Sequence, residues 1–121
     1  MDTVRAIQPL CRLDEISDGA ATALDVTLAV AGGVPEPTSL IVLRHGEQVQ
    51  GYLNVCPHTG GRLDYAPGKF LLKSGTLICA VHGAVFKQFD GVCIAGPCRG
   101  EHLRAVALQV VDGAVHLAGD A

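Results

Sequence analysis

Residues 77–86 read LICAVHGAVF, and the fold turns on how this stretch is understood. TLICA (76–80) and AVFKQF (84–89) are apolar runs too short for helices and rich in aliphatic and aromatic residues, so each reads as a strand. Between them stand Cys79 and His82, followed by Gly83. A strand–loop–strand unit whose loop carries a thiol and an imidazole at C-x-x-H spacing offers two metal donors from one turn. Two donors do not complete a metal site, so a second pair is required elsewhere in the chain.

The strand signature recurs on both sides. TVRAIQ (3–8), LDVTLAV (24–30), SLIVLRH (39–45), QVQGYLNV (48–55), KFLLK (69–73), HLRAVALQVV (102–111) and AVHLA (114–118) are each bounded by Gly, Pro, Asp or Asn. The connectors RHGEQ, KSGT, FDGV and VDGA put a glycine between apolar runs, as hairpins do, and VDGA is the clearest of them. No window longer than about ten residues keeps a helical apolar period free of glycine, so the class is all-β without a substantial helix. The run at 102–111 alternates imperfectly, which suits a strand packed on both faces or a short-strand sandwich. Irregular sequence gathers at 31–38, 56–68, 79–84 and 95–101, and the last three are expected to converge on one site.

Length and composition narrow the function. A chain of 121 residues supplies one domain, expected over 1–121, with room for a real core and for one site. A hydrophobic fraction of 49%, a charged fraction of 17% and a formal net charge of -3 describe an ordinary soluble globular protein, too acidic to track a phosphate backbone, so nucleic acid is not an expected partner. The amino terminus lacks the basic, then apolar, then small-residue order of a secretory signal, so a cytoplasmic location is expected. The most apolar window, LDVTLAVAGGV (24–34), is too short for a bilayer and contains Asp25, so no membrane association is expected. Five cysteines, an odd number, fit a disulfide framework poorly and point to metal.

The second donor pair lies in NVCPHTGG (54–61), where Cys56 and His58 stand at C-x-H spacing, followed by Gly60 and Gly61. Twenty residues separate His58 from Cys79, enough to bring two loops together from opposite sides. Two thiolates and two imidazoles satisfy a tetrahedral zinc. They equally satisfy a 2Fe-2S cluster with both cysteines on one iron and both histidines on the other. Donor identity alone leaves both open.

The surroundings favour iron–sulfur. CPHTGG, then CAVHGAVF, then FDGVCIAGPC resembles the Rieske ferredoxin pattern of C-x-H, C-x-x-H-G-x-x-F and a proline-containing third loop, and the likeness extends over nearly the whole chain, from LDEISDGA to VDGAVHL. The resemblance implies a Rieske iron–sulfur fold, an antiparallel β-sandwich with a small cluster-binding subdomain whose loops fall within about 54–101. It implies Cys56 and Cys79 on one iron, His58 and His82 on the other, and Gly96, Pro97 and Cys98 covering the cluster. Formal charges explain what histidine contributes: two ferric ions (about +6), two sulfides (about -4) and two thiolates (about -2) sum to roughly zero, so one electron takes the cluster only to about -1. Four thiolates start near -2, and the next electron is harder to add in a low-dielectric loop.

Departures from one branch of the family sharpen the expectation. Quinol-oxidising Rieske proteins place a disulfide-forming cysteine in each ligand loop, and the matching positions here are Gly61 and Val81. The hydroxyls that donate to cluster sulfur in that branch are replaced by Ala84 and Phe86. Fewer donors stabilise the reduced state less, which places the expected potential near the low end of the Rieske range, around -150 mV. The resemblance therefore implies an electron carrier, not an enzyme, passing one electron from an NAD(P)H-dependent flavoprotein reductase to a terminal oxygenase. Oxygenase subunits that share the domain append a catalytic domain for which this sequence has no room. Two alternatives are the small Rieske-like subunit of an assimilatory nitrite reductase and a zinc-stabilised β interaction module.

Cys93 and Cys98 are expected as free thiols rather than a disulfide, and Cys11 as core. His45, His102 and His116 lack a donor partner at short spacing and are expected at turns or on the surface. Arg62, Lys69, Arg99 and Arg104 are taken as solvated surface, although a ring of them around the site would steer acidic partners to it.

Overall fold

The computed structural model describes residues 9–28, 34, 36–57, 61–79 and 83–118. In chain order its strands are β1 (Cys11–Arg12), β2 (Ala21–Leu28), β3 (Glu36–His45), β4 (Gln48–Leu53), β5 (Leu71–Lys73), β6 (Thr76–Ile78), β7 (Val85–Lys87), β8 (Cys93–Ala95), β9 (Ala105–Val106), β10 (Leu108–Val111) and β11 (Ala114–Leu117). A single 3-10 turn, Leu13–Glu15, follows β1, and there is no α-helix among the described residues. The strands form three sheets in the orders β1-β11-β10, β2-β3-β4-β9 and β5-β6-β7-β8, with neighbouring strands antiparallel throughout.

Strand β3 joins the two cores. Its residues Leu40, Ile41, Val42 and Leu43 are all fully buried, yet they alternate in destination. Leu40 and Val42 pack with Leu13, Ile16 and Val115 in a basal core, while Ile41 and Leu43 pack with Tyr52, Leu63, Leu77, Phe86 and four cysteines in an upper core. Opposite faces of one pleated strand serve two cores, so the sequence there is a continuous apolar run rather than an alternating one. Burying each such side chain is worth about 1.5–3 kcal/mol, which makes LIVL the firmest stretch of the fold.

The upper unit is an insertion between paired strands. β4 and β9 are neighbours, with Gly51 opposite Val106 and Tyr52 opposite Ala105. The Leu53 amide donates to the Arg104 carbonyl at 2.9 Å, so residues 54–104 leave the basal sheet and return to it at almost the same point. Within the insertion, β5 to β8 form the small sheet expected to hold the ligand loops. Tyr52 ties it down, its buried hydroxyl donating to the Gln88 carbonyl at 2.7 Å. Burial, with Asp90 nearby, raises the Tyr52 phenol to about 12.

Several sequence expectations are refined by the structure. The run at 24–30 becomes β2, which begins earlier, at Ala21, and its last two residues, with TVRAIQ (3–8), lie outside the described residues. The segment 31–38 is not wholly irregular, since β3 starts at Glu36. The run at 102–111 is not one strand: it divides at Ala107 into β9 and β10, which belong to different sheets, and β10 alternates half-buried with exposed residues. β1 and β8 were not anticipated. VDGA is the two-residue turn expected, with Asp112 and Gly113 both at positive φ (51° and 75°). Among the described residues no helix is long and apolar enough to cross a membrane.

Candidate metal centre

Both predicted cysteine ligands sit at the mouths of short loops closed in the same way. The Cys56 amide donates to the Gly61 carbonyl at 2.8 Å, and the Cys79 amide donates to the Ala84 carbonyl at 2.8 Å. Each bond spans five residues and locks a loop that begins with a thiol. The second loop is tightened further by the Gly83 amide, which donates to the Cys79 carbonyl at 3.0 Å. Both cysteines are 1% exposed and belong to the same upper core. His58 and His82 lie outside the described residues. Among the described residues no three metal-binding side chains converge.

The third loop meets the second directly. A Cβ built on Gly96 would stand 2.7 Å from the Ala84 Cα, and Gly96 has a φ of +98°, so both space and backbone conformation demand glycine there. This loop is itself closed, the Cys93 amide donating to the Glu101 carbonyl at 2.7 Å and the Gly100 amide to the Cys93 carbonyl at 3.0 Å. Cys93 and Cys98 are free, as expected, with their sulfurs 3.2 Å apart against about 2.05 Å for a disulfide. Cys98 donates to Cys93, which donates to the Ala95 carbonyl at 3.2 Å. Burial first, then the hydrogen bond to Cys93 and the nearby Cys93, Cys56 and Glu101, push the Cys98 thiol up to about 12. Cys98 is therefore a neutral core thiol close to Cys56.

The foot of the first loop is held by a polar cluster that the sequence reading passed over. Asn54, 2% exposed, accepts from the Leu63 amide at 2.8 Å and donates to the Ser39 hydroxyl at 3.2 Å, joining the two ends of the loop to β3. Asp64 accepts a bidentate pair from Arg62 at 2.9 and 2.7 Å and a third bond from the Gly68 amide at 3.0 Å. Its side chain is 2% exposed, and the Arg62 bonds, helped by Gly68 and Asn54, hold the carboxyl below its usual range despite burial. The signal available in sequence was Arg62-x-Asp64 in extended chain, where alternate residues share a face. Gln88 was also missed: it is 5% exposed, donates to the Thr76 carbonyl at 2.8 Å, and its Oε1 lies 2.8 Å from His45 Nε2.

The remaining cysteine and histidines follow the expectation except His116, which lies within a strand instead of at a turn or on the surface. Cys11 is half-buried against the basal core. His45 and His102 are exposed and His116 is half-buried on β11. Ala84 and Phe86, the residues without hydroxyls, are both fully buried beside Cys79 in the upper core.

A buried thiol at the head of each of two hydrogen-bonded loops, a histidine following each thiol in sequence, and a third loop seated on the second fit a mixed thiolate and imidazole donor set for an iron–sulfur cluster. The comparisons agree. The family model for the Rieske [2Fe-2S] domain matches residues 6–112. Among solved structures, the ferredoxin of carbazole 1,9a-dioxygenase from Nocardioides aromaticivorans IC177 superposes with a TM-score of 0.70 at 27% identity, covering 94% of this chain and 98% of that one. A chain from the complex of reduced oxygenase and oxidized ferredoxin in carbazole 1,9a-dioxygenase matches at 22% identity and TM-score 0.69, with 93% of each chain covered. The terminal oxygenase of the Nocardioides aromaticivorans IC177 system matches at 24% identity and TM-score 0.68, over 94% of this chain and 30% of that one. The last two likenesses speak to fold alone. No curated protein sequence matches the chain.

Proposed function

Because the chain belongs to the Rieske [2Fe-2S] domain family, we propose that it is the ferredoxin of a multicomponent oxygenase system, carrying one electron at a time from an NAD(P)H-dependent flavoprotein reductase to a terminal oxygenase. The observation that carries this reading is the likeness to the Nocardioides ferredoxin, which runs nearly end to end along both chains. The Rieske match also favours the cluster over the zinc alternative.

Cys56 and Cys79 would hold one iron, and His58 and His82 the other. When bound, such a cluster takes up and returns a single electron without a bond being made or broken in the protein. The chain's own residues keep that exchange cheap. The paired amide-to-carbonyl bonds of the two ligand loops fix each thiol in place, so little of the frame reorganises between redox states. Ala84, Phe86, Leu63 and Leu77, all fully buried, keep water from the inner side of the thiols. Gly96 lets the third loop close against the second.

The test is an EPR spectrum of the anaerobic, dithionite-reduced protein, with iron and acid-labile sulfide assayed on the same sample, followed by reduction with NADH and a flavoprotein reductase. A rhombic signal of low average g, two irons and two sulfides per chain, and reductase-dependent bleaching are expected. A colourless protein containing zinc and no sulfide would overturn the proposal.

A further inference from the structure

The charge of this protein is divided between its two parts. The inserted unit, 54–104, holds six Lys and Arg against three Asp and Glu, a net of +3. The remainder holds three Lys and Arg against nine Asp and Glu, a net of -6. Ion pairing leaves the contrast intact: Arg62 is taken by Asp64 and Lys87 by Asp90, while Lys69, Lys73, Arg99 and Arg104 make no ion pair among the described residues. An overall charge of -3 therefore conceals a basic unit on an acidic base.

Topology places part of this basic charge at the ligand loops. Leu71 pairs with Ile78, the residue before Cys79, so the chain leading into β5, with Lys69, lies at the loop end of the small sheet. Arg99 belongs to the third loop, whose Gly96 rests on Ala84. Arg62 follows directly on the first loop. Apolar surface accompanies these charges: of the seven large apolar residues exposed among the described residues, five lie in the inserted unit, including Val55 beside Cys56, Leu71, and Ile94 in β8. Exposed apolar residues in a unit whose unpaired charges are basic are the make-up of a protein docking surface rather than of bare solvated chain.

Resting on the ferredoxin reading above, we infer that the ligand-loop end of residues 54–104 docks an acidic protein surface, and that Lys69 and Arg99 select it. The partner is a redox protein whose electron-transfer face carries Asp and Glu around an apolar patch. The acidic base orients the encounter, since it is repelled by the surface that the loop end attracts.

Stopped-flow oxidation of the dithionite-reduced, cluster-loaded protein by two small cobalt(III) complexes tests this. One is the trianionic tris(oxalato) complex and the other the tricationic tris(phenanthroline) complex. In each, one electron passes from the protein to Co(III), giving Co(II), with no proton transferred. From about 0.01 M to about 0.1 M ionic strength the Debye length shortens from ~30 to ~10 Å. Over that range the anionic oxidant is expected to slow by roughly tenfold and the cationic one to quicken. The double variant K69E/R99E, whose positions are exposed and unpaired, is expected to remove or reverse the anion's salt dependence, while D18K on the base leaves its sign unchanged. The intact visible spectrum of each variant reports that it has folded. A preference for the cation, as the net charge alone would give, or rates indifferent to salt, overturns the docking inference and leaves the ferredoxin reading standing. A protein with no cluster spectrum overturns both.

Discussion

Gly96 and Ala84 touch across two loops, at a separation that leaves no room for a methyl group between them. The contact joins the proline-containing loop to the chain that follows His82, so the backbones of the two loops meet directly. Gly96→Ala adds a Cβ at 2.7 Å from the Ala84 Cα and strains a residue whose φ is +98°. Strain of that kind costs about 1–3 kcal/mol before the clash is relieved. The variant is expected to lose at least about 2 kcal/mol in denaturant unfolding and to bleach faster in air than the parent. Equal bleaching rates would show that the third loop does not shield the site.

On the ferredoxin reading, the absence of hydroxyls at Ala84 and Phe86 is expected to lower the potential. A net hydrogen bond is worth about 0.5–1.5 kcal/mol. For a one-electron couple, at ~59 mV per tenfold, this is about 20–65 mV. Protein-film voltammetry is expected to place the parent near -150 mV and to find Ala84→Ser higher by about that increment. A parent potential well above zero would refute the assignment of low potential to Ala84 and Phe86.

Tyr52 should be visible in alkali. Its phenol is raised from 10.0 to about 12 in the folded protein, mainly because burial disfavours the phenolate. Below pH 10 both states keep the proton and the contribution is complete. As pH rises from 10 to about 12 the unfolded chain gives up its proton first, so stability falls across that window. Tyr52→Phe is expected to flatten this fall. At neutral pH it should cost about 1–3 kcal/mol, because the Gln88 carbonyl loses its buried donor. Parallel alkaline curves for parent and variant would remove Tyr52 as the cause.

Asp64 acts at the other end of the pH scale. Its carboxyl is held below the ordinary value of 3.8, first by Arg62, so it stabilises the fold above that value and the contribution is lost as pH falls below it. Arg62 is half exposed and can return to water, so Asp64→Asn should cost only about 1–2 kcal/mol at neutral pH, less than for a fully buried pair. The difference in stability between parent and variant should shrink on acidification. A difference that persists unchanged at pH 3 would mean that the loss is one of shape and not of charge.

What the sequence disclosed, and what it withheld, follows from the range of the forces involved. The two Cys-His pairs, the buried run LIVL and the turn VDGA are local chemistry, and each was legible within ten residues. The division of 102–111 at Ala107 was not, because β9 and β10 are told apart only by their partners, β4 and β11. β1 escaped for the same reason: two residues become a strand by pairing with Val115 and Ala114, a hundred positions away. Asp64 was passed over, because its role rests on bonds from Gly68 and Asn54 as well as from Arg62. Gly96 could be named as part of the covering loop, but only the fold shows what it rests against.

The two cores also differ in what they need in order to exist. Every member of the basal core, from Leu10 and Leu13 to Val115, comes from outside residues 54–104, whereas the upper core includes Cys56 and Cys79. The basal core therefore draws on no residue of the inserted unit, although Tyr52, His45 and Ser39 still tie that unit to the base through Gln88 and Asn54. On the ferredoxin reading both ligand cysteines belong to the upper core alone, so removal of iron and sulfide is expected to loosen that core while the basal one keeps its packing.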